Sequence, residues 1–204
     1  MLAQDEGQSV TFLLSCFYHT SWVYDGNIYL FGEAVTELPV AYPIAYDEIE
    51  KSMGLFRFSL ASNQWERLLS TGDIPSPRHG FKTIMKDDQV FLFGGFDRRQ
   101  PYCHHLNDLY MLDMTSLQWK LIHGPTFETE TLLVPRARNR HTLTVVSEST
   151  AVLFGGVDAR GYTEDCWLLD LEKARSCHDP TSMWIRFRDD TYITSARFLD
   201  PFPS

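Results

Sequence analysis

The chain sets short apolar runs between polar breaks that carry glycine or proline, and three of these runs repeat. They are Asp25-Gly26-Asn27-Ile28-Tyr29-Leu30-Phe31-Gly32, Asp88-Gln89-Val90-Phe91-Leu92-Phe93-Gly94-Gly95 and Thr150-Ala151-Val152-Leu153-Phe154-Gly155-Gly156. Each places a polar turn before four apolar residues and glycine after them, a pattern that predicts buried strands. Their Phe-Gly steps fall at 31, 93 and 154, spacings of 62 and 61 residues. Self-similarity at a fixed period marks a repeat architecture.

A second apolar run and a tryptophan follow each step. Leu55-Phe56-Arg57-Phe58 leads to Trp65, Leu109-Tyr110-Met111-Leu112-Asp113 to Trp119, and Trp167-Leu168-Leu169-Asp170 to Trp184. Upstream lie Pro75-x-x-Arg78-x-x-Phe81 and Pro135-x-x-Arg138-x-x-His141, with only His19 at the equivalent place in the first unit. Each unit thus predicts a turn, a strand, a strand ending in glycine, a long loop, a strand, a tight turn and a strand bearing tryptophan. That is a four-stranded antiparallel meander.

This order of features resembles the kelch repeat over residues 18–187, most fully in 75–122. The resemblance implies an all-β, kelch-type β-propeller of about three blades (18–70, 75–122 and 135–187), with 1–17 ahead of them and 188–204 as a tail or the start of another blade. Closed propellers hold about 4–8 blades, so a partial ring is expected, either completed by self-association or belonging to a longer or truncated form. Glu33 follows Gly32 where a second glycine would stand, and 34–52 reads as a long insertion. The resemblance gives structural roles to Gly94, Gly95, Gly155 and Gly156 at the turns and to Trp65, Trp119 and Trp184 between neighbouring sheets. Arg78 and Arg138 would bond backbone or a carboxylate, with His141 beside them.

Composition narrows the function. A chain of 204 residues can bury about 70% of its surface, and 44% hydrophobic with 22% charged residues is ordinary for a folded domain. The net charge of −9 argues against nucleic acid or an anionic membrane as partner. Four cysteines without a CxxC pair predict reduced thiols, and the N-terminal residues carry acid where a signal peptide carries base. A cytoplasmic or nuclear protein is expected.

No nucleophile elbow or phosphate-cradling glycine loop is present, so no enzyme and no cofactor are expected. Tyr102-Cys103-His104-His105 offers thiolate and imidazole ligands. Successive residues of an extended segment point to opposite sides, however, so no metal site is expected. The rival reading is a metal-dependent, oxidase-like enzyme on a kelch propeller.

The expected role is binding a protein or peptide through loop residues Arg98, Arg99, Tyr102, His104, Arg136 and Arg140, because loops on a rigid scaffold carry recognition and arginine forks suit carboxylates. Residues 71–78 and 106–110 are similar to kelch proteins that serve as substrate receptors of cullin-RING ubiquitin ligases, which implies an adaptor role in ubiquitination. Receptors of this kind that read C-terminal degrons use arginines beside a small hydroxyl residue. The matching positions here are Phe96, His105 and Asn139, a different chemistry.

Overall fold

In the computed structural model, which describes residues 16–35, 51–99, 103–124, 133–176 and 179–187, three antiparallel meanders lie side by side as blades. Blade 1 is β1 (Cys16–Tyr24), β2 (Asn27–Val35), β3 (Lys51–Ser59) and β4 (Gln64–Leu68), paired in that order. Blade 2 is β6 (Lys82–Lys86), β7 (Gln89–Asp97), β8 (His104–Asp113) and β9 (Gln118–His123). A short β5 (Thr71–Gly72) from the inter-blade linker joins β9 in parallel as a fifth strand. Blade 3 is β10 (Thr142–Val145), β11 (Thr150–Phe154), β14 (Cys166–Asp170) and β15 (Trp184–Phe187), with the small hairpin β12 (Val157–Asp158) and β13 (Gly161–Tyr162) at one end.

The three blades share one register. Thr20 pairs with Phe31, Lys82 with Phe93 and Thr142 with Phe154. Across the next ladder the same phenylalanines pair with Leu55, Leu109 and Cys166. Two residues before each first pairing, the backbone turns left-handed, at Tyr18 (φ 50°), Gly80 (φ 67°) and Arg140 (φ 56°). That conformation is uncommon outside glycine, so its recurrence marks a turn imposed by the surrounding fold.

Because side chains alternate across a strand, each sheet has one face toward each neighbour. Between blades 1 and 2, Phe31, Tyr29, Met53 and Leu55 meet Phe81, Leu92, Leu112 and Trp119. Between blades 2 and 3, Phe91, Phe93 and Leu109 meet Leu153, Trp167, Leu169 and Trp184. The repeat phenylalanine of one blade packs on the repeat tryptophan of the next: Phe31 on Trp119 with ring centres 4.7 Å apart, Phe93 on Trp184 at 5.0 Å. Full burial of such a side chain contributes about 1.5–3 kcal/mol.

Three expectations need correction. The glycine pair does not end the strand in blade 2: β7 continues through Gly94 and Gly95, with a break in register between Phe93 and Gly95, as far as Asp97. The 34–52 insertion is shorter at both ends, since β2 runs to Val35 and β3 starts at Lys51; the remainder lies outside the described residues. In blade 3 the last turn is replaced by helices α1 (Leu171–Ser176) and α2 (Pro180–Met183). The helix-favouring Leu-Glu-Lys-Ala-Arg segment buries Leu171 and Ala174 on one side, and Asp179 caps α2 by accepting from Thr181 N at 2.9 Å.

Candidate protein-interaction site

At one end of the blades, β7 and β11 finish while β6 and β10 begin, and the loops leading into blades 2 and 3 cross this end. Pro75, Pro77 and Pro135 lie in those loops, and proline offers no N–H for a ladder. Near this end, the bridges His79 to Phe96 and Asn139 to Val157 connect each loop to its sheet. Side chains add further ties. Arg78 donates to both carboxylate oxygens of Asp108 at 2.6 and 3.0 Å, to Gly94 O at 3.2 Å and, through Nε, to Ser76 O at 3.0 Å. Arg138 repeats the arrangement on Asp165, Gly155 O and Arg136 O. Burial raises the Asp165 carboxyl, but hydrogen bonds from Arg138, Thr163 and Trp167 outweigh it and hold the group well below the usual carboxylate range.

The glycines admit these loops. A Cβ on Gly94 would stand 2.7 Å from Arg138 O, and one on Gly156 2.6 Å from Asn139 O. Gly95 N donates to Arg138 O and Arg140 N to Gly80 O, so the loop into blade 3 is bonded to blade 2.

Beyond the glycines a second motif repeats. Asp97 accepts from Arg99 N and Nε at 2.9 and 3.0 Å, and Asp158 accepts from Arg160 N at 2.7 Å while Arg136 lies 3.0 Å from its other oxygen. Burial pushes the Asp97 carboxyl up, and the bonds from Arg99 more than reverse this, leaving it below its ordinary value. Both aspartates are buried, so they fix the bases of the exposed turns that carry Arg98, Arg99 and Arg160.

An aromatic ladder crosses the same end from blade 1 to blade 2. Tyr18 and His79 have ring centres 4.9 Å apart, His79 and Phe96 5.3 Å, and Phe96 and His105 4.8 Å; the Arg98 guanidinium sits 5.3 Å over Tyr18. Burial lowers the proton affinity of His105, with nearby Asp158 opposing and His104 adding to the effect, so the ring is neutral at physiological pH.

Of the expected binding residues, Arg98, Arg99, Arg136 and Arg140 are exposed at this end. Arg99 and Arg136 are held by Asp97 and Asp158, whereas Arg98 and Arg140 form no ion pair among the described residues. His104 is not in a loop: it begins β8 and pairs with Asp97, because the strand extends further than its apolar run indicates. Tyr102 lies outside the described residues. Cys103 donates to Arg98 O at 3.3 Å, and among the described residues no three His, Cys, Asp or Glu side chains converge on one point. Trp119, Trp184 and His141 are buried between blades, while Trp65 is half-buried on the outer face of blade 1.

Tyr18, His79, Asp97 and Asp158 were not among the expected site residues. A signal for two of them exists: Gly94-Gly95-Phe96-Asp97 and Gly155-Gly156-Val157-Asp158 repeat a glycine-glycine-x-aspartate order. Tyr18 and His79 have no such signature, since they meet only when blades 1 and 2 pack.

The chain is 29% identical to Tip elongation aberrant protein 1 of Schizosaccharomyces pombe over 148 residues, 72% of this chain and 12% of the relative. It is 25% identical to Tip elongation aberrant protein 3 of the same organism (72% and 14%) and 27% identical to Host cell factor of Drosophila melanogaster (63% and 8%). The chain therefore spans only a small part of the length of these relatives. Residues 18–197 match the KLHDC2/KLHL20/DRC7 Kelch-repeats domain, and the chain belongs to this family of kelch-repeat domains, which generally mediate protein–protein interaction.

Proposed function

We propose that the chain presents the arginine-bearing end of its blades to an acidic segment of a partner protein, acting by binding rather than catalysis in the cytoplasm or nucleus, as a substrate-binding adaptor in ubiquitination. One observation carries the reading. In a chain of net charge −9, Arg98 and Arg140 stand exposed and without an ion-pair partner among the described residues, beside the Tyr18–His79–Phe96–His105 ladder. Acid elsewhere on the molecule repels an anionic partner, so this end selects it by both attraction and position. Arginine forks bind carboxylates bidentately, and the aromatic ladder offers flat surface for an adjoining side chain. The similarity to cullin-RING substrate receptors supports the adaptor role. Association with a second copy through the outer faces of blades 1 and 3 belongs to the same reading.

Panning a random peptide library on the immobilised 204-residue chain tests the binding. Acidic peptides are expected to be enriched, and the Arg98→Glu/Arg140→Glu chain is expected to lose them. Selection unchanged by the double substitution rules this end out. The adaptor role requires co-elution with a purified cullin-RING ligase and ubiquitin transfer to a selected peptide fusion; binding without either places the chain outside ubiquitination.

A further inference from the structure

We infer that Gly80 is the seat of the partner's acidic segment: the partner's main chain crosses bare backbone there and sets an acidic side chain between Arg98 and Arg140. The inference rests on the proposed function and adds the position that decides which segments fit.

The repeat singles this glycine out. Tyr18, Gly80 and Arg140 hold one repeat position, two residues before each first strand pairing, with left-handed φ of 50°, 67° and 56°. Blades 1 and 3 place large side chains there, so the turn by itself does not require glycine. Space does not forbid a side chain either. A Cβ at Gly80 would stand 3.1 Å from Asn139 Cβ, whereas at Gly94 and Gly156 it would strike backbone oxygen at 2.7 and 2.6 Å. Gly80 is only half-buried, so bare backbone reaches the surface between the loops that enter blades 2 and 3. Glycine serves where a ligand must approach backbone closely.

The groups around it are cationic. On one side its chain neighbour His79 carries the Tyr18 ring, with the Arg98 guanidinium 5.3 Å over that ring. On the other, Arg140 N donates to Gly80 O at 2.7 Å, which fixes Arg140 beside it. Arg78, Arg99, Arg136 and Arg138 at this end are each matched by a carboxylate of the fold. Arg98 and Arg140 have no such match among the described residues, and they flank the glycine. In a chain of net charge −9, the occupant that satisfies both is an acidic segment. A side chain as long as Tyr18 or Arg140 at the middle position would lift the partner's main chain away from both guanidiniums.

The repeat also supplies the test, because tyrosine and arginine already occupy this position in blades 1 and 3. An acidic peptide enriched by the wild-type chain is labelled with fluorescein, and its affinity is measured by anisotropy for the wild type, Gly80→Ala, Gly80→Tyr and Gly80→Arg, with circular dichroism as the check on folding. Gly80→Ala carries the same Cβ against Asn139 with little bulk and is expected to bind within about threefold of the wild type. Gly80→Tyr and Gly80→Arg are expected to lose about tenfold or more, the arginine even though it adds a cation. In the wild type labelled with nitrogen-15 glycine, the Gly80 amide signal is expected to move when the peptide is added. Binding by Gly80→Arg equal to or tighter than the wild type means that charge alone holds the segment and overturns the seat. A loss in Gly80→Ala as large as in Gly80→Arg, or an unmoved Gly80 signal, overturns it as well. A wild type that enriches no acidic peptide overturns the proposed function and the seat together, whereas peptides lost by the Arg98→Glu/Arg140→Glu chain but kept by Gly80→Arg overturn the seat alone.

Discussion

Blade 1 and blade 2 reach the same register by different means. In blade 1 the leading segment is itself a strand: β1 starts at Cys16 and pairs with β2 through Phe17 opposite Glu33 and Cys16 opposite Ala34. In blade 2 that place is taken by a proline-bearing loop, and the buried Arg78–Asp108 pair does the tying. The shared register puts Cys16 and Gly54 in blade 1 where blade 2 has arginine and aspartate, so both members of the pair are missing together. The meander therefore depends on its apolar register, and the guanidinium replaces backbone pairing only where a loop has been freed from the sheet. Freed loops of this type, into blades 2 and 3, border the candidate binding end.

Removing one member of the tie is the strongest way to break this comparison. Arg78→Ala leaves Asp108 buried without its partner, an uncompensated charge that costs about 3–5 kcal/mol, read as a lowered urea midpoint. Replacing both, as Arg78→Met/Asp108→Leu, is expected to recover most of that loss, as blade 1 suggests. A cost for Arg78→Ala no larger than the roughly 0–1 kcal/mol of an exposed pair would show that the loop is held by its other bonds.

Glycine separates blade 2 from blade 3 by a smaller margin. Gly94 and Gly155 have nearly the same left-handed φ, +65° and +66°. An added methyl at Gly94 meets Arg138 O at 2.7 Å and Leu106 O at 3.0 Å, whereas at Gly155 it meets only Thr163 O at 3.3 Å. Both alanines incur the left-handed penalty of about 1–2 kcal/mol; Gly94→Ala must also displace backbone and is expected to reach about 2–3 kcal/mol. Equal losses in denaturation would mean that the loop from blade 3 shifts freely.

The contrast also shows what the sequence makes legible. Three phenylalanine-glycine steps and three tryptophans fix the blades and their order, because a buried strand leaves a period-two signature and the repeat supplies it three times. Arg98, Arg99, Arg136 and Arg140 are readable as exposed cations near turns. Tyr18 and His79 are not, since their contact is made across blades 1 and 2 and no local pattern encodes it. The strand character of His104 is hidden because β8 extends beyond its apolar core into polar residues, and α1 with α2 is hidden because only blade 3 departs from the tight turn before its tryptophan.

The column His19, Phe81 and His141 gives the finest test. His141 is buried against Phe93, and burial together with the charges of Arg138 and Lys82 lowers its pKa to about 3 from an ordinary 6.5. Below about pH 6.5 the unfolded chain takes up a proton that the folded chain refuses, so stability present above that pH is lost progressively toward pH 3. Near pH 5 the loss from this one group is about 2 kcal/mol, at about 1.4 kcal/mol per pH unit. His123 and His105, also lowered by burial, act with the same sign. Asp165 contributes only as the pH falls through the ordinary carboxylate range and below it, and so lies outside this window. Blade 2 already carries Phe81 at the same position, so His141→Phe keeps an aromatic ring in the pocket and removes the titration. Its urea midpoint is expected to fall less than that of the wild type between pH 7 and pH 5, while the residual slope belongs to His123 and His105. Parallel pH profiles for the two proteins would mean that the imidazole is protonated in the folded state, and that the blade 2–blade 3 interface opens enough to solvate it.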